Sequence, residues 1–241
     1  LFTAFEIFAN HVQMTYYYLF IIFFMVVAYL VDAIRKKQMA HFLKATGVCA
    51  LGALIGVSIN LSNLYHTWEY SKESMRGKSE LVKQRSANQT DSGLERDYIT
   101  QWSYGVDETW TLLVPNTKGG ASVPLAQSET AMQKADPQFM EVYQQLGQYW
   151  GDQPMTSGPV YVGAFVLMLF FLGALIVKGP IKWALVAATY LSVMLSWGHN
   201  FMGLPDFFID YMPMYAKFRT VASILVIAEF TIPLLAMLAL K

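Results

Sequence analysis

Five apolar runs divide the chain, and one long polar stretch separates the second run from the third. The runs comprise residues 15–34, 42–64, 158–177, 183–197 and 220–240. A helix needs about 20 consecutive apolar residues to cross the hydrocarbon core of a bilayer, and all of the runs except the fourth meet that length. The pattern predicts an all-α polytopic membrane protein with five transmembrane helices, of which the fourth is short.

Two polar segments flank the first pair of predicted helices. Residues 1–14 mix polar with apolar side chains at a spacing typical of a short helix in the membrane interface. Residues 65–157 are too long for a simple connection and predict a mainly helical cap domain. Within this cap, helices are expected over 66–85 and over 128–149, the latter broken at Pro137. The chain therefore divides into an interfacial segment, membrane helices 1 and 2, the cap, membrane helices 3 and 4, an elbow and membrane helix 5, at residues 1–14, 15–64, 65–157, 158–197, 198–219 and 220–241.

The basic side chains predict which side of the membrane each loop occupies. Short loops rich in Lys and Arg stay in the cytoplasm, whereas long domains cross with little regard to charge. The cap carries eight basic and twelve acidic side chains, a net charge of minus four. We therefore expect a bacterial inner-membrane protein whose cap, residues 65–157, is extracytoplasmic. Seven of the 17 basic residues lie in or beside the short turns that would be cytoplasmic: Arg35, Lys36, Lys37, Lys44, Lys178, Lys182 and Lys241.

Composition narrows the chemistry that this chain can carry. The 241 residues are 55% hydrophobic and 14% charged with no net charge, so no overall positive field favours nucleic acid. Cys49 is the single cysteine, which excludes an internal disulfide framework and a cysteine-based metal cluster. The sequence has no Gly-rich phosphate loop, no zinc-protease motif and no Gly-x-Ser-x-Gly motif. We identify no cofactor and no metal site from the sequence.

The elbow, residues 198–219, is the segment richest in candidate chemistry. Its aromatic residues suit the membrane–water boundary, and Pro205 and Pro213 prevent one continuous helix. Lys217 and Arg219 depart from the positive-inside pattern, and the planar guanidinium of Arg219 matches a phosphate. These two residues are the candidate binding site for a lipid phosphate. Alternatively, both side chains extend to ordinary phospholipid headgroups.

Eight further residues are candidates for lining the same site. A histidine beside a carboxylate could perform acid–base chemistry, or the carboxylates could form plain ion pairs beside Arg219 that fix the elbow. The polar pair ahead of the first span could equally be solvated, and the charged residues after the second span could pair along a helix surface. The candidates are His11, Gln13, Glu69, Glu73, Arg76, His199, Asp206 and Asp210.

Glu229 is an acidic residue within the fifth predicted span. A carboxylate near the bilayer centre costs roughly 2.5–3.5 kcal/mol on insertion scales, so such residues usually face the interior of a helix bundle. Pro233 follows one turn later. We expect Glu229 to stabilise a kink from inside the bundle, or alternatively to belong to an ion path.

Several ordered phrases of the sequence resemble the YfhO-like family of large bacterial membrane proteins. The likeness covers most of the chain. The phrases are Asn10-His-Val-Gln-Met-Thr-Tyr-Tyr17, Tyr70-Ser-Lys-Glu-Ser-Met-Arg-Gly-Lys-Ser-Glu80, Trp102-Ser-Tyr-Gly-Val-Asp-Glu-Thr-Trp110, Tyr149-Trp-Gly-Asp-Gln-Pro-Met-Thr-Ser-Gly-Pro159 and Lys217-Phe-Arg219.

This resemblance implies a glycosyltransferase of the GT-C class. Such enzymes take a sugar from a polyprenyl-phosphate carrier, here the donor substrate, and move it to a cell-envelope glycopolymer or protein. The resemblance would place the carrier phosphate on Lys217 and Arg219 and the acceptor beside the cap. It would place the catalytic acid in a loop upstream of Leu1, so no residue here receives that role.

Two other classes of function fit the sequence. A transporter or lipid flippase would use Glu229 and the adjacent Pro233, because broken helices with charges near the membrane centre build translocation sites. A non-catalytic envelope assembly protein would use the cap to bind a partner. The partners common to these interpretations are membrane lipids, and none of them involves nucleic acid.

Overall fold

The computed structural model describes residues 1–74, 76–77, 90 and 93–241, and these residues build an all-helical fold. Within that part of the chain, the backbone forms no β-strand longer than an isolated bridge. Short 3₁₀ segments connect several of the α-helices. The α-helices are α1 (Phe2–Phe8), α2 (Val12–Arg35), α3 (Met39–Ile59), α4 (Leu61–Lys72), α5 (Arg96–Thr100), α6 (Glu129–Met132), α7 (Met140–Gln145), α8 (Ala164–Ile176), α9 (Ile181–Ser196), α10 (Gly203–Tyr211) and α11 (Val226–Leu240).

Within the described residues, three helical stretches are long and apolar enough to cross a membrane, which supports a helical membrane protein. They are α2, α3 and the 20 residues Val221–Leu240, which combine a 3₁₀ turn with α11. These correspond to the first, second and fifth predicted spans. Helices α8 and α9 have 13 and 16 residues. At 1.5 Å per residue they measure about 20 and 24 Å, less than the roughly 30 Å thickness of the hydrocarbon core.

The second predicted span, residues 42–64, is divided into two helices by Asn60. Its side chain is buried and donates to the carbonyl oxygens of Gly56 and Ala4, at 3.2 and 3.0 Å. The bond to Ala4 also attaches α1 to the end of α3. Gly56 permits this contact, because a Cβ at that position would lie 2.9 Å from the Cβ of Thr3. Most of α3 beyond this contact is exposed, as expected for a helix surrounded by lipid.

The core of the bundle contains α2, α8, α9 and α11. Helix α11 packs against both α8 and α9, and α9 packs against α2. At the α8–α11 crossing, a Cβ on Gly173 would lie 2.8 Å from the carbonyl oxygen of Leu235, so the two backbones are close. The hydroxyl groups of Thr189 and Thr231 share a buried 2.7 Å hydrogen bond between α9 and α11. Small and hydroxyl-bearing residues therefore allow close packing, as is usual in membrane bundles.

The two basic turns lie together at one end of this bundle. The C-terminal end of α2, which leads into the first turn, and the turn before α9 contribute residues to the same groove, described below. The elbow and the cap occupy the other end, which we call the elbow end. The grouping of basic turns matches the prediction from the sequence.

The cap, where described, is built from short helices and turns. The helix predicted over 66–85 is observed only to Lys72, where α4 ends. Residues 73, 74, 76 and 77 form turns and bends, and residues 78–89 lie outside the described part of the chain. The predicted break at Pro137 is confirmed, because a 3₁₀ turn at Pro137–Phe139 separates α6 from α7. Asp136 caps that turn by accepting a 3.1 Å hydrogen bond from the Gln138 amide.

Backbone hydrogen bonds attach the cap to the elbow end of the bundle. The Leu94 amide donates to Ala216, and the Tyr104 amide donates to Ser196, at 2.9 and 2.8 Å. The Ala222 amide donates in turn to Trp102 at 3.0 Å. Gly198 has a φ of +45°, and a Cβ there would lie 1.8 Å from the Ser103 hydroxyl oxygen. This close approach explains why a glycine stands where the elbow meets the cap.

Candidate functional site

The elbow folds back on itself at two residues with left-handed backbone conformations. Met214 has a φ of +66° and Thr220 a φ of +63°. Pro205 occupies the first turn of α10, where it removes no helical hydrogen bond, and Pro213 follows the end of that helix. The prediction that prolines interrupt the helix is therefore confirmed. Helix α10 ends, and residues 214–220 form a separate segment with one 3₁₀ turn, Tyr215–Lys217, that holds Lys217 and Arg219.

A cavity of about 410 Å³ adjoins this segment at the elbow end of the bundle, and we call it the elbow cavity. It brings together four of the candidates from the sequence: His11, Gln13, Arg76 and Lys217. The remaining lining is mostly aromatic, aliphatic or hydroxyl-bearing: Asn10, Val12, Leu64, Thr67, Trp68, Tyr70, Ser71, Ser74, Met214 and Phe218.

The charge of the elbow cavity is positive. Its described lining contains the cations of Arg76 and Lys217 and no carboxylate. Within the described residues, the Lys217 ammonium group makes no hydrogen bond or ion pair. A cavity with apolar walls and two cations is chemically suited to the phosphate group of an amphiphile.

Two side chains, Gln13 of α2 and Arg76 of the turn after α4, hold the backbone of residues 217–219 in place. The Nε2 atom of Gln13 lies 2.6 Å from the Arg219 carbonyl oxygen and 3.0 Å from the Ser223 hydroxyl. From the other direction, Nε of Arg76 donates to the Lys217 carbonyl oxygen at 2.8 Å. Gln13 and Arg76 therefore position the segment in addition to lining the cavity.

Arg219 does not line the elbow cavity. Its Nη1 donates to the Tyr98 hydroxyl at 2.7 Å, and its guanidinium carbon lies 5.8 and 6.0 Å from the ring centres of Tyr98 and Trp102. Arg219 is thus directed towards the cap while Lys217 borders the elbow cavity. The sequence predicted that the two cations share one ligand, and the structure places them on different neighbours.

Asp206 and Asp210 form a structural ion-pair cluster with Arg96 of the cap. Nη1 of Arg96 lies 2.6 Å from Asp206, and Nη2 donates to Asp210. Burial alone would lower the pKa of Arg96, but the two carboxylates outweigh that effect and raise the pKa above its ordinary value. The bridging guanidinium fixes α10 against α5. Ion pairing was the alternative considered for these aspartates, but the partner is Arg96 of the cap and not Arg219 of the elbow.

The substitution Arg96→Ala should lower the stability of the cap–elbow contact. The Arg96 side chain is 19% exposed while its two partners are 41% and 46% exposed, so we expect a modest cost of about 1–2 kcal/mol. Arg96→Lys should recover part of it, because one ammonium cannot bridge both carboxylates as a planar guanidinium does. Thermal unfolding of the purified variants measures this difference. An unchanged melting temperature for Arg96→Ala would contradict the structural role.

His199 also serves the contact between cap and elbow. Its backbone amide donates to the Ser103 hydroxyl at 2.9 Å, and its Nδ1 lies 3.0 Å from the Thr100 carbonyl oxygen. Within the described residues, His199 makes no hydrogen bond to Asp206 or Asp210. The predicted histidine–carboxylate pair is therefore absent from the described contacts.

Three acidic candidates lie away from the elbow cavity. Glu69 and Glu73 are exposed and are not among its lining residues. Within the described part of the chain they form no ion pair with Arg76. Glu229 is exposed on the surface of α11 and does not face the bundle interior as expected. Helix α11 packs mainly against α8 and α9, and Glu229 and Phe230 lie outside those contacts. The Phe230 ring lies 6.2 Å from the ring of Tyr18 on α2.

A second cavity, of about 500 Å³, lies between the cap and the start of the last span, and we call it the cap cavity. Its described lining carries no charged side chain and is dominated by hydroxyl, amide and aromatic groups. Gln13, which lines the elbow cavity, reaches Ser223 in the wall of the cap cavity. The lining residues are Trp102, Tyr104, Ser122, Gln153, Met155, Thr156, Ser157, Val160, Thr220, Ala222, Ser223 and Leu225.

A buried carboxyl group supports one wall of the cap cavity. Glu108 is 2% exposed and accepts hydrogen bonds from the Gly105 amide at 3.1 Å and the Tyr149 hydroxyl at 2.9 Å. Nε2 of Gln153 lies 3.4 Å from the same carboxyl group. Burial raises the pKa of Tyr104 to about 12, so its hydroxyl stays protonated where it meets Thr111. Sequence analysis did not identify this network.

The phrases that resemble the YfhO-like family meet at the two cavities. The segments that begin at Asn10, Tyr70 and Lys217 contribute residues to the elbow cavity. The segments that begin at Trp102 and Tyr149 contribute residues to the cap cavity. The lining residues of the cap cavity could have been predicted from the sequence, because several of them lie within these two phrases.

The described residues contain no group of three or more His, Cys, Asp or Glu side chains that could hold a metal ion. Comparison of the chain with models of protein families, with curated proteins and with solved structures finds no match. The family resemblance therefore stays a prediction, and the geometry of the two cavities supports the functional argument that follows.

Proposed function

We propose that this chain belongs to a membrane glycosyltransferase that takes a sugar from a polyprenyl-phosphate carrier and passes it to a cell-envelope acceptor. The observation that carries the proposal is the elbow cavity, in which two cations stand among apolar walls beside a bundle of membrane helices. A lipid with a phosphate headgroup has this combination of properties. Membership of the YfhO-like family is part of the same proposal.

The phosphate of the donor would bind at the elbow cavity. Lys217 and Arg76 supply positive charge there, and Trp68 and Phe218 supply apolar surface for the first units of the prenyl chain. A basic residue near an anionic surface contributes about 1 kcal/mol. Arg219 lies on the cap side of the same segment, where the bond between phosphate and sugar would be. Its guanidinium can therefore stabilise the phosphate as the sugar leaves.

The cap cavity would hold carbohydrate. Hydroxyl and amide groups such as those of Ser223 and Gln153 exchange hydrogen bonds with sugar hydroxyls, and the ring of Trp102 offers a flat apolar surface to a sugar face. The absence of charged groups in its described lining favours a neutral ligand over a phosphate. The two cavities together would separate the phosphate from the sugar units that it carries or receives.

The reaction would be a direct displacement. The acceptor oxygen forms a bond to the anomeric carbon of the sugar, and the bond from that carbon to the phosphate oxygen breaks. The acceptor proton passes to a carboxylate, and the electron pair leaves with the polyprenyl phosphate. We assign Lys217 and Arg219 to the leaving phosphate and assign the carboxylate to no described residue.

The membrane topology of the proposal follows the positive-inside rule. We propose that α8 and α9 cross the membrane as the third and fourth of five spans, with the residues beside them completing the distance. Both basic turns would then face the cytoplasm of a bacterial cell, and the cap and the elbow would face outward from its inner membrane. Such an arrangement gives both cavities access to lipid-linked sugars in the outer leaflet.

The substitution Trp102→Ala should weaken sugar binding in the cap cavity. Loss of about 60 Å² of apolar contact corresponds to about tenfold in affinity. We therefore expect the KM for the glycan acceptor to rise about tenfold while the KM for the lipid donor changes little. Steady-state transfer kinetics with each substrate varied in turn measures the acceptor KM and the donor KM separately. A rise confined to the donor KM would contradict the assignment, and Trp110→Ala, which removes an exposed Trp outside the cavity lining, is the matched control.

Sugar transfer by the full-length protein in membranes tests the proposal itself. Labelled polyprenyl-phosphate sugars are supplied, and incorporation into envelope material is followed. Transfer from at least one donor would support the proposed glycosyltransferase activity. The absence of transfer from every donor, together with lipid or solute movement that Glu229→Gln abolishes, would support the transporter alternative instead.

A further inference from the structure

A groove lies between α2 and α9 at the end of the bundle opposite the elbow. Its volume is about 630 Å³, larger than that of either cavity at the elbow end. Most of its lining is apolar, and its polar side chains lie at one end. The lining residues are Phe24, Val27, Ala28, Val31, Asp32, Arg35, Gly179, Pro180, Trp183, Ala184 and Ala187.

The groove has the length of one membrane leaflet. From Phe24 to Arg35 the helix rises by about 16 Å at 1.5 Å per residue. The hydrocarbon core of a bilayer is about 30 Å thick, so the groove extends through roughly half of it. A further spanning helix packed here would be expected to contact α2 along its full length. A lipid chain anchored in one leaflet matches the observed extent.

The mouth of the groove carries positive charge. The Asp32 carboxylate is paired with Lys36 at 2.8 Å, which leaves the guanidinium of Arg35 as the uncompensated charge among the described lining residues. Trp183 is 64% exposed at the same level, and the Lys182 ammonium lies 5.1 Å from its ring centre. An exposed Trp beside basic residues is typical of a membrane interface, where lipid headgroups lie.

We propose that this groove binds an anionic phospholipid. Its phosphate would contact Arg35, and an acyl chain would lie along Phe24, Val27 and Ala187. Basic pockets between membrane helices are a recognised mode of binding for anionic headgroups. The inference does not depend on the proposed sugar transfer, because the groove and the two cavities lie at opposite ends of the bundle.

Native mass spectrometry of the full-length protein tests the inference. The protein is extracted from vesicles that contain equal amounts of phosphatidylglycerol and phosphatidylethanolamine. Wild type should retain phosphatidylglycerol preferentially, and Arg35→Gln should reduce that retention about fivefold. Ala187→Phe, which fills the groove while leaving Arg35 in place, should reduce it as well. Lys44→Gln removes an exposed cation outside the groove and should leave retention unchanged.

Three results would overturn the inference. The first is equal retention of both lipids by wild type. The second is an equal loss in Arg35→Gln and Lys44→Gln, which would indicate diffuse surface charge. The third is a dimer of wild type that Ala187→Phe disrupts, which would assign the groove to a second copy of the chain. Melting temperatures within a few degrees of wild type establish that each variant is folded.

Discussion

The Lys217→Ala/Arg219→Ala double variant of the full-length protein should transfer sugar about 10³-fold more slowly than wild type. A hydrogen bond between charged groups contributes roughly 1.5–3 kcal/mol, and the variant removes two cations proposed to bind the leaving phosphate. The Lys217 backbone would still accept from Arg76, so the elbow segment should remain in place. Measurement of kcat/KM with a labelled polyprenyl-phosphate donor gives the effect.

Two controls make this result specific to the elbow. Lys44→Ala/Lys134→Ala removes two exposed basic residues elsewhere and should leave kcat/KM unchanged. The single variants should differ, because Lys217 borders the elbow cavity whereas Arg219 is directed towards Tyr98 and Trp102. Lys217→Ala should mainly raise the donor KM, and Arg219→Ala should mainly lower kcat. Full activity of a folded double variant would refute phosphate binding at the elbow.

The substitution Glu108→Ala should destabilise the cap by about 3 kcal/mol. It removes the acceptor for the Gly105 amide and the Tyr149 hydroxyl, and it leaves a void where a buried side chain stood. For a chain of this size, such a loss corresponds to a fall in melting temperature of about 6–12 °C. Thermal unfolding and limited proteolysis of the cap measure the change.

An exposed acidic residue serves as a control, because its removal changes the charge by the same amount without disturbing a buried network. Glu141 is exposed in the first turn of α7, so Glu141→Ala should change the melting temperature very little. Glu108→Gln retains one acceptor oxygen and should fall between wild type and Glu108→Ala. Equal melting temperatures for Glu108→Ala and Glu141→Ala would contradict a supporting role of the Glu108 network.

Hydropathy predicted the membrane helices well where the run of apolar residues is helical throughout. The run at 15–34 lies within α2, and the run at 220–240 coincides with the last candidate span. The run at 158–177 is equally apolar, but the helix within it begins at Ala164. Gly158, Pro159 and Gly163 precede it, and Gly163 has a φ of +96°. Hydropathy measures transfer into lipid and does not register such breaks in the backbone.

The sequence predicted which residues line the candidate site better than it predicted which residues contact each other. His11, Gln13, Arg76 and Lys217 are far apart in the sequence yet line one cavity. Asp206 and Asp210 pair with Arg96, more than 100 residues earlier, and no local pattern indicates that partner. Glu229 was expected inside the bundle because of its insertion cost. The actual packing of α11 against α8 and α9 decides its position, and that packing is set by residues elsewhere on the helix.

Equilibrium binding of polyprenyl phosphate to the full-length protein in lipid nanodiscs tests the central claim most directly. The comparison ligand is the same polyprenol without its phosphate. Lys217 and Arg76 line the elbow cavity, and about 1 kcal/mol from each predicts that the phosphate form binds about 30-fold more tightly. The Lys217→Ala/Arg219→Ala variant retains Arg76 and should keep only about fivefold of this preference. Equal affinity of wild type for the two lipids would contradict the assignment of the elbow as a phosphate site.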